Sequence, residues 1–286
     1  MTHTYGRTLR AASAVLAGAL LWTGCAGSGA PGGGADSVSG GGDSVSGSGT
    51  GDTGGTGKLA AEEAAAAVAG APATRGTGFE PDPERLPRTA AQARKLAGEI
   101  VAGPELWGAD FVERSPRLSP PGYWPVLDEG CGWRGGTLPD TVLASVTAHS
   151  ELPAGGGKGP VRVAATVTVH RDVRAADWEM AGTLEEALRC PAQKLREGER
   201  VSGLSSIGEE TYTDADDSLG EIGVFTTDEF PGKHGYGWFQ SRVGQITVAA
   251  VAKGAKGHSG ESLRLAQAKA LSGMVVRLER RLEARR

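Results

Sequence analysis

The sequence predicts an α+β domain in which three helices pack on an antiparallel sheet of five to six strands, with one disulfide. Residues 141–149 and 161–169 alternate apolar with polar or mixed side chains, which is the period of a half-buried strand. Three other segments, which start near residues 89, 172 and 261, repeat apolar residues at helical spacing. The two cysteines of this region, Cys131 and Cys190, are the expected disulfide pair.

Each predicted helix has recognisable ends. The first follows a capping box made by Thr89 and Gln92 and stops at Gly103-Pro104. The second runs from Asp172 to about Arg189, and its predicted buried face consists of Val173, Ala176, Met180, Ala181, Leu184, Ala187 and Leu188. The third spans about Glu261 to Glu283 and ends in arginines, which complement the negative end of the helix dipole.

The strands are predicted to form antiparallel pairs. Segments 141–149 and 161–169 are joined by a connector that contains three consecutive glycines, which suits a loose hairpin. Shorter strands are expected at Glu209–Thr213, Glu221–Thr226, Tyr236–Arg242 and Gln245–Ala252. The last two form a hairpin across Val243-Gly244.

The stretch from Glu105 to Gly136 is rich in proline and glycine, and it is predicted as an irregular loop pinned by Cys131. Large aromatic side chains in such a loop need a cover or a ligand. One hypothesis is that they line a cleft for an apolar or sugar-like ligand; the alternative is that they fill the core. The candidate ligand-binding residues are Trp107, Tyr123, Trp124 and Trp133.

The N-terminus resembles a bacterial lipoprotein signal. Arg7 and Arg10 precede a short apolar region, Ala11 to Trp22, and small residues lead to Cys25. The resemblance implies that residues 1–24 are a signal peptide, that the Cys25 thiol carries lipid, and that this lipid anchors the protein to the outer face of the cell membrane. The alternatives are an ordinary signal peptide with a chance cysteine, or a buried helix.

Residues 25–88 are predicted to be a disordered tether. Its first part, residues 26–57, is almost entirely small and polar, so it cannot bury enough apolar surface to fold. Four prolines between residues 71 and 87 favour an extended chain after it. The domain itself is then expected to occupy residues 89–286.

Export would also determine whether the remaining two cysteines are oxidised. In an oxidising compartment, Cys131 and Cys190 are expected to be bonded to each other, because Cys25 is used for lipid. The alternative is two buried free thiols.

Charge and motifs argue against several functions. The chain has 30 Lys and Arg against 34 Asp and Glu, a formal charge of −4, which disfavours nucleic acid as a partner. No GxSxG, SxxK or HExxH motif occurs, so no enzyme activity and no cofactor is predicted. The acidic run from Asp214 fails the EF-hand pattern at Leu219 and Phe225, which favours a solvated turn over an adventitious cation site.

Several short phrases occur in an order that resembles a known group. They are Cys131-Gly132-Trp133, the strand 167–172, the helix that ends at Cys190, LSSIGEET at 204–211, the hairpin 235–251 and MVVRL at 274–278. Together with the signal and tether, they resemble the extracellular sensor domain of PknH-type bacterial kinases and the related LpqN-like lipoproteins. The resemblance covers about residues 89–284 and implies an antiparallel sheet covered by helices, with a cleft for an unidentified ligand.

Three functions follow as hypotheses. The first is a membrane-anchored, non-enzymatic ligand-binding or sensor-type domain, whose ligand contacts the aromatic loop. The second is an envelope protein–protein interaction module. The third is a hydrolase that uses His149 or His170 with a nearby acid.

Overall fold

The computed structural model describes residues 79–207 and 215–283. The helices in these ranges are α1 (Ala90–Ile100), α2 (Pro104–Trp107), α3 (Val173–Arg189) and α4 (Gly260–Leu282). The strands are β1 (Val112–Leu118), β2 (Tyr123–Leu127), β3 (Trp133–Thr137), β4 (Val142–Leu152), β5 (Val161–His170), β6 (Gln193–Arg196), β7 (Glu199–Ile207), β8 (Asp217–Thr227), β9 (His234–Val243) and β10 (Ile246–Lys253).

Eight of these strands form one antiparallel sheet in the order β1-β4-β5-β10-β9-β8-β7-β6, and β2 pairs with β3 in a separate hairpin. The predicted α+β class and antiparallel sheet are confirmed. The predicted counts are too low, since the described residues hold an eight-stranded sheet rather than five to six strands, and four helices rather than three.

One face of the sheet carries the main core. Alternate residues of β5 and β10 point to this face, where α1, α2 and α4 cover them, so that the apolar positions of strand and helix meet. Most of this core consists of alanine, valine and leucine, and Trp107 of α2 is its one tryptophan among the buried residues described.

The opposite face is more polar. It carries β4, β5 and β10 side chains such as Thr147, Thr166 and Thr247, and the hydroxyls of Thr147 and Thr166 bond across the strands at 2.9 Å. The helix α3 covers only part of this face, over β5, β7, β8, β9 and β10. A second, smaller apolar cluster lies here as well, formed by Val201, Leu204 and Phe225.

Packing begins before the predicted domain boundary at Thr89. Phe79 and Leu86 contact the core, and the Asp82 amide donates to the Leu282 carbonyl at 2.9 Å. The Gln245 side chain donates to the Pro87 carbonyl at 3.1 Å. Residues 79–88, which were assigned to the tether, therefore pack against the domain.

Other predictions have mixed outcomes. The capping box of Thr89 and Gln92 is present, and Asp172 caps α3 by accepting from the Ala175 amide at 2.8 Å. The predicted loop 105–136 instead contains β1, β2 and β3 and most of α2. The predicted strand 209–213 falls wholly in the interval 208–214, which lies outside the described residues, as do residues 1–78 with the signal and Cys25.

The predicted disulfide is confirmed. Cys131 and Cys190 are bonded, with their Cα atoms 5.5 Å apart. Among the residues described, no helix combines the length and the hydropathy that crossing a membrane requires.

Candidate functional site

The four aromatic residues proposed for a cleft do not form one group. Trp107 is only 1% exposed and packs in the core, with its ring centroid 6.2 Å from that of Phe111. Tyr123 and Trp133 share one face of the β2–β3 hairpin, because their cross-strand partners place them in the same alternation. Trp124 is on the opposite face. Two of the four residues thus share a face of the hairpin, at its opposite ends.

The disulfide joins this hairpin to the end of α3. Cys131 lies in the turn between β2 and β3, and Cys190 is the C-cap of α3. The Lys194 amide donates to the Cys131 carbonyl at 2.9 Å, and the Trp133 indole donates to the Gln193 side chain at 2.8 Å. The hairpin is therefore held to both α3 and β6.

The underside of α3 is fixed to the sheet by polar contacts. Oε2 of Glu179 lies 2.6 Å from Nε2 of His170 and accepts from the Thr247 hydroxyl at 2.6 Å. One turn further along, the Thr183 hydroxyl donates to the Gln240 side chain at 3.0 Å. These sheet residues are buried, so their polar groups cannot form hydrogen bonds with water. Each bond to α3 replaces one that is lost on folding.

Two further carboxyl groups lie at the underside of α3, Glu186 half-buried and Glu221 buried. Burial raises the pKa of Glu186 to about 7, with Arg189 opposing the effect. Burial likewise raises the pKa of Glu221 to about 7, and the charge of Glu186 adds to it. Glu221 is 6% exposed, and its Oε1 has no hydrogen-bond partner. Both acids therefore keep their protons to a higher pH than an ordinary glutamate does.

The outer side of α3 differs from the prediction. Ala176, Met180 and Ala187 are buried as expected. The other four residues of the predicted buried face are exposed, and Leu184 and Leu188 are 42% and 74% exposed; the four are Val173, Ala181, Leu184 and Leu188. The reason is that the sheet face below α3 is polar, so the helix turns Glu179, Thr183 and Glu186 inward.

Because the polar side of α3 faces the sheet, large apolar side chains on its other side are exposed to solvent. Trp178 is 67% exposed and Val173 is 48% exposed. We call the following residues the α3 outer surface: Val173, Trp178, Ala181, Leu184 and Leu188. Sequence reasoning missed it, although Glu179, Thr183 and Glu186 recur at helical spacing beside the buried alanines and so mark a polar underside.

A separate ion cluster lies on the part of the polar face that α3 leaves open. The Glu199 carboxylate is buried and receives Lys253 at 2.6 Å and Arg162 at 3.4 Å, and it also bonds Arg196. Burial favours a raised pKa for Glu199, but the Lys253 and Arg196 contacts outweigh it and hold the pKa below its ordinary value. The charges in this cluster largely satisfy one another, which indicates a structural role.

The two histidines of the hydrolase hypothesis have different surroundings. His170 is 2% exposed beneath α3, so a substrate cannot reach it in this arrangement. Nε2 of His149 lies 3.0 Å from the Ser119 hydroxyl. Burial lowers the pKa of His149, and Arg114 and Lys253 lower it further, so its charged neighbours are cations rather than the acid that would complete a triad.

A cleft of about 350 Å³ lies elsewhere, where the N-terminal segment crosses the domain. It is lined by Pro83, Leu86, Pro87, Arg88, Leu143, Arg171 and Gln245. None of the predicted aromatic ligand residues contributes to it. Within residues 79–207 and 215–283, no three or more His, Cys, Asp or Glu side chains are grouped to hold a metal ion.

Comparison with known proteins gives no assignment. No protein-family model matches the chain, and neither a curated protein nor a solved structure is significantly similar to it. Any function must therefore be argued from the arrangement of the side chains themselves. Within the described part of the chain, the α3 outer surface holds the two most exposed large apolar side chains, Trp178 and Leu188.

Proposed function

We propose that this protein is an exported lipoprotein, anchored to the membrane through lipid on Cys25, whose folded domain is a non-enzymatic binding module. The α3 outer surface is the proposed docking site, and the proposed partner is a protein of the cell envelope. One observation carries the proposal: Trp178 and Leu188 are 67% and 74% exposed on the free side of a helix that is fixed on its other side.

The residue types on this surface favour a protein partner. Tryptophan is enriched among the residues that contribute most to binding energy, because its ring buries a large area at low entropic cost. Isolated exposed apolar side chains are ordinary, but several on one helix face form a continuous patch. Burying Trp178 and Leu188 together contributes about 3 to 5 kcal/mol before the costs of association are counted.

The support beneath the helix makes the surface suitable for docking. The Glu179–His170 contact and the Thr183–Gln240 bond hold the middle of α3, and the disulfide at Cys190 holds its end. A surface that is already ordered loses little conformational entropy when it binds. The predicted tether would let this domain turn toward a partner in the envelope.

Site-specific photo-cross-linking tests the proposal. A photoreactive phenylalanine analogue replaces Trp178 in the full-length exported chain, and the matched control carries it at Leu265, which is 58% exposed on α4. We expect a discrete protein adduct from position 178 and a much weaker adduct from position 265. Adduct formation at position 178 should be lost with Leu188→Asp. Equal labelling from both positions would refute the proposed site.

A second candidate function rests on the cleft of about 350 Å³. Two of its lining residues, Arg88 and Arg171, are exposed cations, and Gln245 adds a polar group. Guanidinium groups bind carboxylate and phosphate well, so the cleft suits a small acidic ligand. A small ligand thus remains a candidate, but its proposed binding site is this cleft and not the aromatic residues.

Native mass spectrometry of the chain after incubation with envelope extract tests this candidate. A bound species of a few hundred daltons that disappears with Arg88→Ala and Arg171→Ala supports the cleft. If the species is lost with Trp133→Ala but not with the arginine variants, the ligand binds at the β2–β3 hairpin and not in the cleft.

A further inference from the structure

Five residues of α3 occur at alternating spacings of four and three, and they therefore share one helix face. They are Arg174, Trp178, Ala181, Glu185 and Leu188, and all five are exposed. Ala181 is at the centre of this row, with a cation on one side and an anion on the other. Each half of the row thus holds one charged and one large apolar residue, and the two charges are opposite in sign.

We propose that the α3 outer surface binds a second copy of this chain, with the two α3 helices antiparallel across a two-fold axis at Ala181. This proposal rests on the proposed function and names the partner. In a two-fold pair, a residue that lies a given number of positions before Ala181 faces the residue the same number after it. Trp178 therefore faces Leu184 of the second copy, and Arg174 faces Leu188.

The charges favour this register. Glu185 lies three residues before Leu188, one turn along the helix, so Arg174 reaches Glu185 of the second copy while its aliphatic stem covers Leu188. Arg174 has no ion-pair partner within the described part of the chain, and the side chain of Glu185 remains 62% exposed beside Arg189. The two-fold axis forms the Arg174–Glu185 pair twice, at either end of the apolar contacts.

Small residues at the axis permit a close approach. Ala181 is exposed, and an added Cβ at its neighbour Gly182 would have no heavy atom within 4 Å beyond its chain neighbours and the adjacent backbone of α3. Helices approach most closely, at about 8 Å between axes, where the side chains at the crossing are small. The contact is one helix wide and lies below the ~1,200 Å² of a stable interface, so we expect a weak dimer.

Disulfide cross-linking in the intact envelope tests the register with the full-length chain. Two cysteines can bond only when their Cα atoms are within about 7 Å, which at this axis holds for position 181 and its own copy. Positions 174 of the two copies would be about 21 Å apart along the helices, at 1.5 Å per residue. Ala181→Cys should therefore form a dimer under mild oxidation, whereas Arg174→Cys and the α4 control Leu265→Cys should not.

Charge reversal supplies an independent readout. Arg174→Glu or Glu185→Arg should each lower the cross-linked fraction of the Ala181→Cys chain by about 2- to 5-fold, and the double reversal should restore it. Absence of the position 181 dimer, or equal dimers from positions 181, 174 and 265, would overturn the second-copy proposal. If position 178 then still photo-cross-linked to a different protein, the proposed binding function would stand without it.

Discussion

Oε2 of Glu179 lies 2.6 Å from Nε2 of His170, and this contact fastens α3 to the polar face of the sheet. The same oxygen accepts from the Thr247 hydroxyl. One carboxylate therefore links the helix to two neighbouring strands, and it fixes which side of α3 faces the sheet. The orientation of the α3 outer surface depends on it.

Replacing this carboxylate should destabilise the domain. Glu179→Ala leaves the buried groups of His170 and Thr247 without their partner, and we expect a loss of about 2 to 3 kcal/mol in the free energy of unfolding. Urea denaturation measures it. The control is Glu185→Ala on the exposed side of the same helix, which should cost less than about 0.5 kcal/mol. Equal losses would contradict a specific role for Glu179.

Replacing the exposed Trp178 and replacing the buried Trp107 should have different effects on stability. Trp178→Ala removes a side chain that is 67% exposed, so the free energy of unfolding should change by less than about 0.5 kcal/mol. Trp107→Ala removes a side chain that is 1% exposed and should cost about 3 to 5 kcal/mol. A large loss for Trp178→Ala in thermal or urea unfolding would show that this ring is part of the core.

Glu221 should make the domain less stable as pH rises. Its pKa is raised to about 7 in the folded state, above its ordinary value of 4.5, so the folded state holds the proton more tightly. The stabilisation is complete below pH 4.5 and is lost as pH rises through 7, by about 1 to 3 kcal/mol.

The variant Glu221→Gln should reduce this dependence, and Glu186, whose pKa is also raised to about 7, should account for the part that remains. The variant should be less pH-sensitive than the parent between pH 5 and 8, and more stable than the parent at pH 8. Glu129→Gln, on an exposed turn, is the control and should follow the parent curve. A parent protein whose stability is constant between pH 5 and 8 would contradict the buried, protonated carboxyl.

The ion cluster around Glu199 should show coupling. Glu199→Gln leaves Lys253 without its counter-charge, whereas Arg162 keeps its ion pair with Glu229, and we expect a loss of about 3 to 5 kcal/mol. Adding Lys253→Met should recover part of that loss, because it removes the half-buried cation that lost its partner. A double-mutant cycle in urea measures the coupling, and strictly additive effects would show that the two residues do not interact.

The sequence predicted the regular, well-capped elements best. Thr89 and Asp172 carry local start signals, so α1 and α3 begin where expected, and the long alternation of β4 and β5 identified both strands. The strand β1 was missed because Val112–Leu118 has little alternation and is mostly exposed. Such an edge strand depends on its neighbour for pairing rather than on its own pattern.

The candidate site was predicted less well for a similar reason. The α3 sequence contains two rows of apolar residues, and helical spacing alone does not say which row faces the sheet. The answer depends on the polar side chains of β5, β9 and β10 that the helix covers, which are distant in the chain. Long-range strand pairing therefore decided which side of α3 became the exposed surface.

The accessibility of residue 178 in the intact envelope tests the central claim most directly. Trp178→Cys and the control Leu265→Cys are each labelled with a membrane-impermeant maleimide, in the exported full-length chain before and after solubilisation in detergent. We predict that position 178 is protected in the envelope and becomes reactive on solubilisation, whereas position 265 is reactive in both states. Equal reactivity of position 178 in both states would contradict a docked α3 outer surface.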